Sequence, residues 1–232
     1  NLSGCAVTGD VATGPDEAAG QAAESAAAQL EITGQAMQEQ ESLQPLSQQM
    51  LYDVLLAEIA GQRGRLDVSV PHYLQAALES RDPRVAERAI QIASFAKDYG
   101  VALKAARHWV GLEPDNLDAR KIVAALALQT GELDEAVRQL DIIIARSESP
   151  QQGFAVATAL LSRHGESAQV LQAMETLVAR YPNNAEAQLA IGRLAALKGQ
   201  LDRAMTATDA ALALQPGMQR AQILKAQVLI RQ

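Results

Sequence analysis

Hydrophobic and small residues recur along the chain with a period of 34 residues. Within one period, Ala136, Leu140 and Ile143 are spaced by three or four residues, which is the spacing of one face of an amphipathic helix. Three columns keep the period: Ala102, Ala136, Val170 and Ala204; Gly131, Gly165 and Gly199; and Pro114, Pro182 and Pro216. The pattern predicts repeated pairs of helices, each pair turning at the glycine.

The unit that begins at Leu117 shows how one pair is built. Its first helix carries Val123, Ala124 and Ala127 on one face, and Gly131 then suits the left-handed conformation that ends many helices. Small residues such as Ala124 and Ala136 allow the two helices to approach closely. Pro114 and its equivalents stop the second helices, because proline cannot continue the hydrogen-bond ladder.

This period, with its small residue, glycine, alanine and proline at fixed offsets, resembles the tetratricopeptide repeat. The best instance contains Gly192, Gly199, Ala204 and Pro216. The resemblance implies an all-α, helical-hairpin solenoid with a right-handed superhelix, preceded by an N-terminal tether or helical arm. We divide the chain into 1–5, 6–44 and the solenoid 45–232, with units at about 48–82, 83–116, 117–150, 151–184 and 185–218 and a half unit at 219–232. Because that half unit lacks a second helix, we expect further repeats in the native polypeptide.

In the tetratricopeptide-repeat family, the first helices line an inner groove that usually binds a segment of another protein. The resemblance places candidate groove residues in four units: Arg84, Glu87, Gln91 and Phe95; Asp118, Lys121, Leu128 and Gln129; Gln152, Ser162 and Arg163; Glu186, Leu189, Arg193 and Leu197. We expect Phe95, Leu128 and Leu197 to be exposed among mixed charges, which suits a polypeptide partner. The alternative is that these residues are merely solvated.

The net charge of −7 is concentrated near the N-terminus. Residues 1–62 contain nine acidic residues and no Lys or Arg, whereas the remainder has 20 basic and 18 acidic residues. This balance argues against a nucleic-acid-binding surface. Residues 6–44 are rich in Ala, Gln and Glu, and could form either a solvated tether or a marginal helix that starts near Pro15.

The single cysteine, Cys5, follows Leu2, Ser3 and Gly4. Leucine, two small residues and cysteine are similar to the lipobox of bacterial lipoproteins, in which the cysteine sulfur receives a diacylglycerol. That resemblance implies that residues before Cys5 belong to a removed signal peptide. Ala6 fits export to the outer membrane, facing the periplasm. A chance tetrapeptide is the alternative.

Catalytic and metal-binding patterns are absent from the sequence. His72, His108 and His164 have no cysteine or second histidine at ligand spacing, and no phosphate-loop, dinucleotide-binding or serine-hydrolase motif occurs. We therefore expect no enzyme activity, no cofactor, no metal and no small-molecule substrate. An enzyme would require an active site beyond Gln232.

The cysteine, tether and repeats together resemble the lipoproteins that act as adaptors for periplasmic carboxyl-terminal processing proteases. Such adaptors bind the protease and substrates that include cell-wall hydrolases, so the resemblance implies these partners and a membrane contact through acylated Cys5. The alternative is a lipoprotein that assists assembly of a secretion or pilus complex.

Overall fold

The computed structural model describes residues 47–163 and 167–231, and every regular element in them is an α-helix. Eleven helices are seen there: α1 (Gln48–Gln62), α2 (Leu66–Glu79), α3 (Pro83–Phe95), α4 (Tyr99–Leu112), α5 (Leu117–Thr130), α6 (Leu133–Arg146), α7 (Pro150–Arg163), α8 (Ser167–Val178), α9 (Ala185–Leu197), α10 (Leu201–Leu214) and α11 (Gln219–Arg231). The all-α solenoid predicted from the sequence is confirmed. Cys5, the tether 6–44 and His164 lie outside the described residues.

The helices form antiparallel pairs, α1 with α2 through α9 with α10, and each pair packs on the next. We call the odd-numbered helices first helices and the even-numbered ones second helices. Alanine is the commonest residue in the core between them, and Ala124, Ala136 and Ala204 are fully buried. Small side chains there let helices pack closely, which explains why a chain so poor in aromatic residues has a continuous core.

In the four pairs whose turn the structure describes, the turn uses a residue in the left-handed region. Gly64, Gly131 and Gly199 have φ values of 72°, 81° and 75°, so the predicted conformation of Gly131 is confirmed. The turn of the second pair has no glycine, and there Lys97 adopts φ 61°. A Cβ disfavours this region, so the repeated turn geometry overrides the local preference of Lys97.

Two connections between pairs are held by side chains of the following first helix. The buried Arg120 donates hydrogen bonds from Nε and Nη2 to the Pro114 carbonyl, at 3.0 and 2.7 Å, and from Nη1 to Gln139. Gln222 donates to the Pro216 carbonyl at 3.1 Å in the same manner. The end of one pair is thereby tied to the first helix of the next.

A buried carboxylate lies in the first pair. Asp53 in α1 is 2% exposed, and it accepts hydrogen bonds from His72 Nδ1 at 2.6 Å and from Gln49 Nε2 at 3.0 Å. These bonds, with that of His72 the largest cause, lower the pKa of Asp53 below its ordinary value of 3.8 despite burial. The ionised carboxylate therefore stabilises the folded state.

This pKa predicts a pH dependence of stability. A group whose pKa is lowered by folding contributes fully above its unfolded pKa, and the contribution is lost as the pH falls through the folded pKa. Asp53→Asn should therefore lower the free energy of unfolding at pH 7, and the difference from wild type should shrink once the pH falls below 3.8. Urea denaturation of wild type and variant, at pH values from 7 to below 3.8, measures this difference in the free energy of unfolding. A difference that stays constant with pH would contradict the assignment.

Candidate functional site

The candidate site is the surface formed by one stripe of each first helix, which we call the first-helix face. In α3 the stripe contains Arg84, Glu87, Gln91 and Phe95, all exposed. Equivalent positions recur every 34 residues, so that Phe95, Gln129, Arg163, Leu197 and Arg231 occupy one position on five successive first helices. These five residues are exposed as well. The repeat thus arranges side chains in rows that run across the helices.

Three predicted groove residues come together in a small cavity of about 100 Å³. Glu186, Leu189 and Arg193 of α9 line it, with Gln151, Phe154 and Thr158 of α7 and Arg220 of α11. Glu186 forms an ion pair with Arg220. The cavity joins three consecutive first helices, so a ligand side chain placed here would contact three units.

Two leucines differ from their predicted environment. The expectation that Leu128 is exposed is wrong, because it is 9% exposed and belongs to the core. It lies one residue before Gln129, and one residue rotates a side chain by about 100° around a helix. Leu189, included among the groove candidates, is 2% exposed and forms the floor of the cavity. Neither leucine offers a partner much surface.

Charges on this face differ along the solenoid. In the second and third pairs they are compensated locally, since Arg84 pairs with Asp82 at 2.6 Å and Lys121 with Asp118 at 2.8 Å. Hydrogen bonds from the Arg84 side chain are the main cause that lowers the pKa of Asp82. Arg163 and Arg193 form no ion pair with any residue that the structure describes. The later units therefore present uncompensated positive charge.

At the first two pairs, an ionic network links three helices. Glu58 of α1 accepts hydrogen bonds from the Tyr73 hydroxyl and, at 3.1 Å, from Arg88 Nη2. The bond from Tyr73 is the main cause that lowers the pKa of Glu58, and Arg88 adds to it. The Arg88 guanidinium also lies 5.8 Å from the centre of the Tyr73 ring. These groups are engaged with one another, which indicates a role in joining the pairs.

A second cleft, of about 360 Å³, lies among α8, α9 and α10. Ile191 and Ala195 provide apolar surface, and Glu175 and Arg203 form an ion pair of 2.8 Å between its walls. The sequence pattern does not predict this cleft, because the cleft depends on the separation of α8 and α10 rather than on any residue type.

Metal-binding geometry is not found in the part of the chain that the structure describes. No group of three or more His, Cys, Asp or Glu side chains there could hold a metal ion. His108 Nε2 lies 3.0 Å from the Ser80 carbonyl, and His72 is engaged with Asp53. None of the helices within 47–163 and 167–231 has the length and hydropathy needed to span a bilayer.

The helix pairs have a counterpart among known proteins. The TPR repeat-containing protein PA4667 of Pseudomonas aeruginosa is 32% identical over 162 residues, or 69% of this chain. The helices within 47–163 and 167–231 form a helical-hairpin solenoid of the tetratricopeptide-repeat type. The chain spans only 27% of the length of that relative. No protein-family model matches the chain.

Several solved structures are similar to the chain, and two of the following three are described as tetratricopeptide-repeat proteins. A tetratricopeptide repeat protein from Parabacteroides merdae has a TM-score of 0.42 at 12% identity, covering 79% of this chain and 73% of that one. MamA has a TM-score of 0.41 at 16% identity, covering 72% and 92%. YrrB, described as a TPR protein with an unusual peptide-binding site, has a TM-score of 0.38 at 16% identity, covering 83% and 97%.

Arg220 and Gln151 are site residues that the sequence analysis missed. Arg220 lies 34 residues after Glu186, so the period itself could have identified it. Gln151 precedes the predicted Gln152 by one residue, and it faces the cavity from the neighbouring side of α7. The orientation of Gln151 depends on the rotation of α7 about its own axis, which the period alone does not fix.

Proposed function

We propose that the solenoid is a protein-binding scaffold and that the first-helix face is its binding surface. The observation that carries this proposal is the exposure of two large apolar side chains at one position of the repeat: Phe95 is 76% exposed and Leu197 is 64% exposed. Glu87 and Gln91, which precede Phe95 on the same stripe of α3, are polar and exposed. Apolar anchors within a polar rim are typical of protein interfaces.

We propose further that the protein is held at the bacterial outer membrane, on the periplasmic side, by a lipid on Cys5. There it would bring substrates such as cell-wall hydrolases to a carboxyl-terminal processing protease. Support comes from the sequence Leu2-Ser3-Gly4-Cys5 and from the resemblance to adaptor lipoproteins. Holding protease and substrate on one scaffold replaces a bimolecular encounter by an intramolecular one, which raises the effective concentration.

A pull-down from a periplasmic and membrane extract tests the partner and the surface together. We expect wild type to recover a carboxyl-terminal processing protease, and Phe95→Ala to recover at least about fivefold less, as for an interface anchor. Leu78→Ala is the matched control, because Leu78 is 46% exposed but lies on second helix α2. Recovery of secretin or pilus subunits instead would favour the assembly function. Equal recovery by the two variants would exclude Phe95 from the binding surface.

Lipidation predicts a separate result for Cys5→Ser. In cells that export the protein, the substitution should move it from the membrane fraction to the soluble periplasmic fraction, because the acceptor sulfur is lost. Thermal unfolding of the solenoid should not change, since the cysteine serves as an anchor. Fractionation followed by immunoblotting measures the first effect and circular dichroism the second. A variant that remains in the membrane fraction would contradict the lipobox interpretation.

A further inference from the structure

The first helices of the last three units carry an excess of positive charge. Helices α7 and α11 contain no acidic residue, and α9 contains only Glu186. Two of the five basic residues in these helices are paired within the chain, Arg220 with Glu186 and Lys225 with Asp209. The other three are Arg163, Arg193 and Arg231, which are exposed and have no ion-pair partner among the described residues.

These charges alternate with apolar side chains in a regular row. Arg163, Leu197 and Arg231 occupy the same position of α7, α9 and α11, so the row reads positive, apolar, positive. Leu197 is 64% exposed in the middle of the row. Ile223 of α11 is 58% exposed and lies eight residues before Arg231, about two turns away along the same stripe. We call Arg163, Arg193, Leu197, Ile223 and Arg231 the basic face.

The repeat fixes the spacing that a ligand must match. Axes of packed helices are roughly 8–10 Å apart. A polyproline II segment has three residues per turn and rises roughly 9 Å in a turn, so every third side chain points to the same side. Such a segment, lying across the helices, would present one side chain to each first helix. The ligand that complements the row therefore has acidic, apolar and acidic side chains at positions i, i+3 and i+6.

We propose that the basic face binds an extended acidic segment of a partner protein with this three-residue spacing. The proposal rests on the proposed function of the first-helix face and adds the chemistry of the partner. Apolar Leu197 and Ile223 among the arginines favour a polypeptide over a nucleic acid, whose regular phosphates are matched by uninterrupted cations. Arginine suits the carboxylates of such a segment, because its guanidinium can donate two parallel hydrogen bonds.

Synthetic peptides can test the charge pattern on the whole chain. The probe is a thirteen-residue peptide of proline and alanine, with glutamates at the fourth and tenth positions and leucine at the seventh. Isothermal titration calorimetry should show it binding roughly tenfold more tightly than the peptide with lysines in place of glutamates. Raising the NaCl concentration from about 50 to about 300 mM should weaken binding, because screening acts on exposed charges.

Charge reversal in the protein locates the site. Arg163→Glu combined with Arg231→Glu should reverse the preference, so that the lysine peptide binds more tightly. Lys104→Glu is the matched control, since Lys104 is an exposed, unpaired cation of second helix α4 in the described structure, and it should leave the preference unchanged. Circular dichroism of each variant checks that the helices remain.

Several results would overturn the inference: no binding of the glutamate peptide, equal binding of both peptides, an unchanged preference in the double variant, or tighter binding of a thirteen-nucleotide oligothymidylate than of the glutamate peptide. The scaffold proposal fails separately. If the pull-down still recovers a partner through Phe95 while the glutamate peptide fails, the first-helix face binds proteins by other chemistry. If both fail, the proposed function is wrong as well.

Discussion

Ala136→Arg should destabilise the solenoid by at least ~3 kcal/mol, because the substitution overpacks a helix crossing and places a cation where no carboxylate compensates it. Ala136 is fully buried at the start of α6, which packs against α5, and the crossing is built of small residues such as Ala124. A long side chain fits there only if the two helices separate. Ala204 occupies the equivalent place in α10 and is also fully buried, so Ala204→Arg should behave in the same way.

Ala145→Arg is the control for this experiment. It makes the same change in the same helix at an exposed position, where substitutions usually alter stability by no more than ~0.5 kcal/mol. Urea denaturation followed by far-UV circular dichroism compares the variants. If Ala136→Arg and Ala145→Arg unfold together with wild type, the assignment of the helix crossing is wrong.

Gly153→Ala should also destabilise the fold, by about 1–2 kcal/mol, although alanine normally favours a helix by about 1 kcal/mol. A Cβ on Gly153 would lie 2.7 Å from the Cα of Ile144 and 3.2 Å from its carbonyl oxygen. Backbone atoms cannot rotate away as a flexible side chain does, so α7 would have to move away from α6. The steric cost therefore exceeds the gain in helix propensity.

Gly111→Ala provides the matched control with the opposite sign. Gly111 is also helical, near the end of α4, and no atom lies within 4 Å of the position its Cβ would take. The substitution should stabilise the protein by about 0.5 kcal/mol, because it restricts the unfolded chain. Thermal and urea unfolding of the two variants should thus shift in opposite directions. Stabilisation by both substitutions would show that α6 and α7 are not in close contact.

Much of the fold could be predicted because each unit repeats the same physical requirements. Buried alanines at a fixed period indicated where helices cross, and Gly131 indicated a left-handed turn. Lys97 shows the limit of such inference, because it adopts the left-handed turn conformation although it is not a glycine. There the packing of α3 against α4 determines the backbone conformation of the turn, and this packing cannot be read from the residues of the turn alone.

The site was less predictable because exposure depends on rotation about each helix axis. Phe95 and Leu197 are exposed as predicted, whereas Leu128, one residue away from the stripe, belongs to the core. The ion pair between Glu186 and Arg220 joins residues one period apart. The sequence pattern placed Glu186 by its own unit but did not identify Arg220, because a contact between units depends on the actual distance between neighbouring helices.

The ties at the connections between pairs have a consequence for how the solenoid opens. Because each pair packs on its neighbours, and Arg120 and Gln222 add hydrogen bonds at two of the connections, a unit in the middle cannot unfold without disrupting both neighbours, whereas a unit at an end of the solenoid disrupts one. The units at the ends of the solenoid should therefore unfold first, and unfolding should then proceed to the units in the middle. A segment bound across α7, α9 and α11 would stabilise these three units against unfolding, because it couples units that packing alone joins only in pairs.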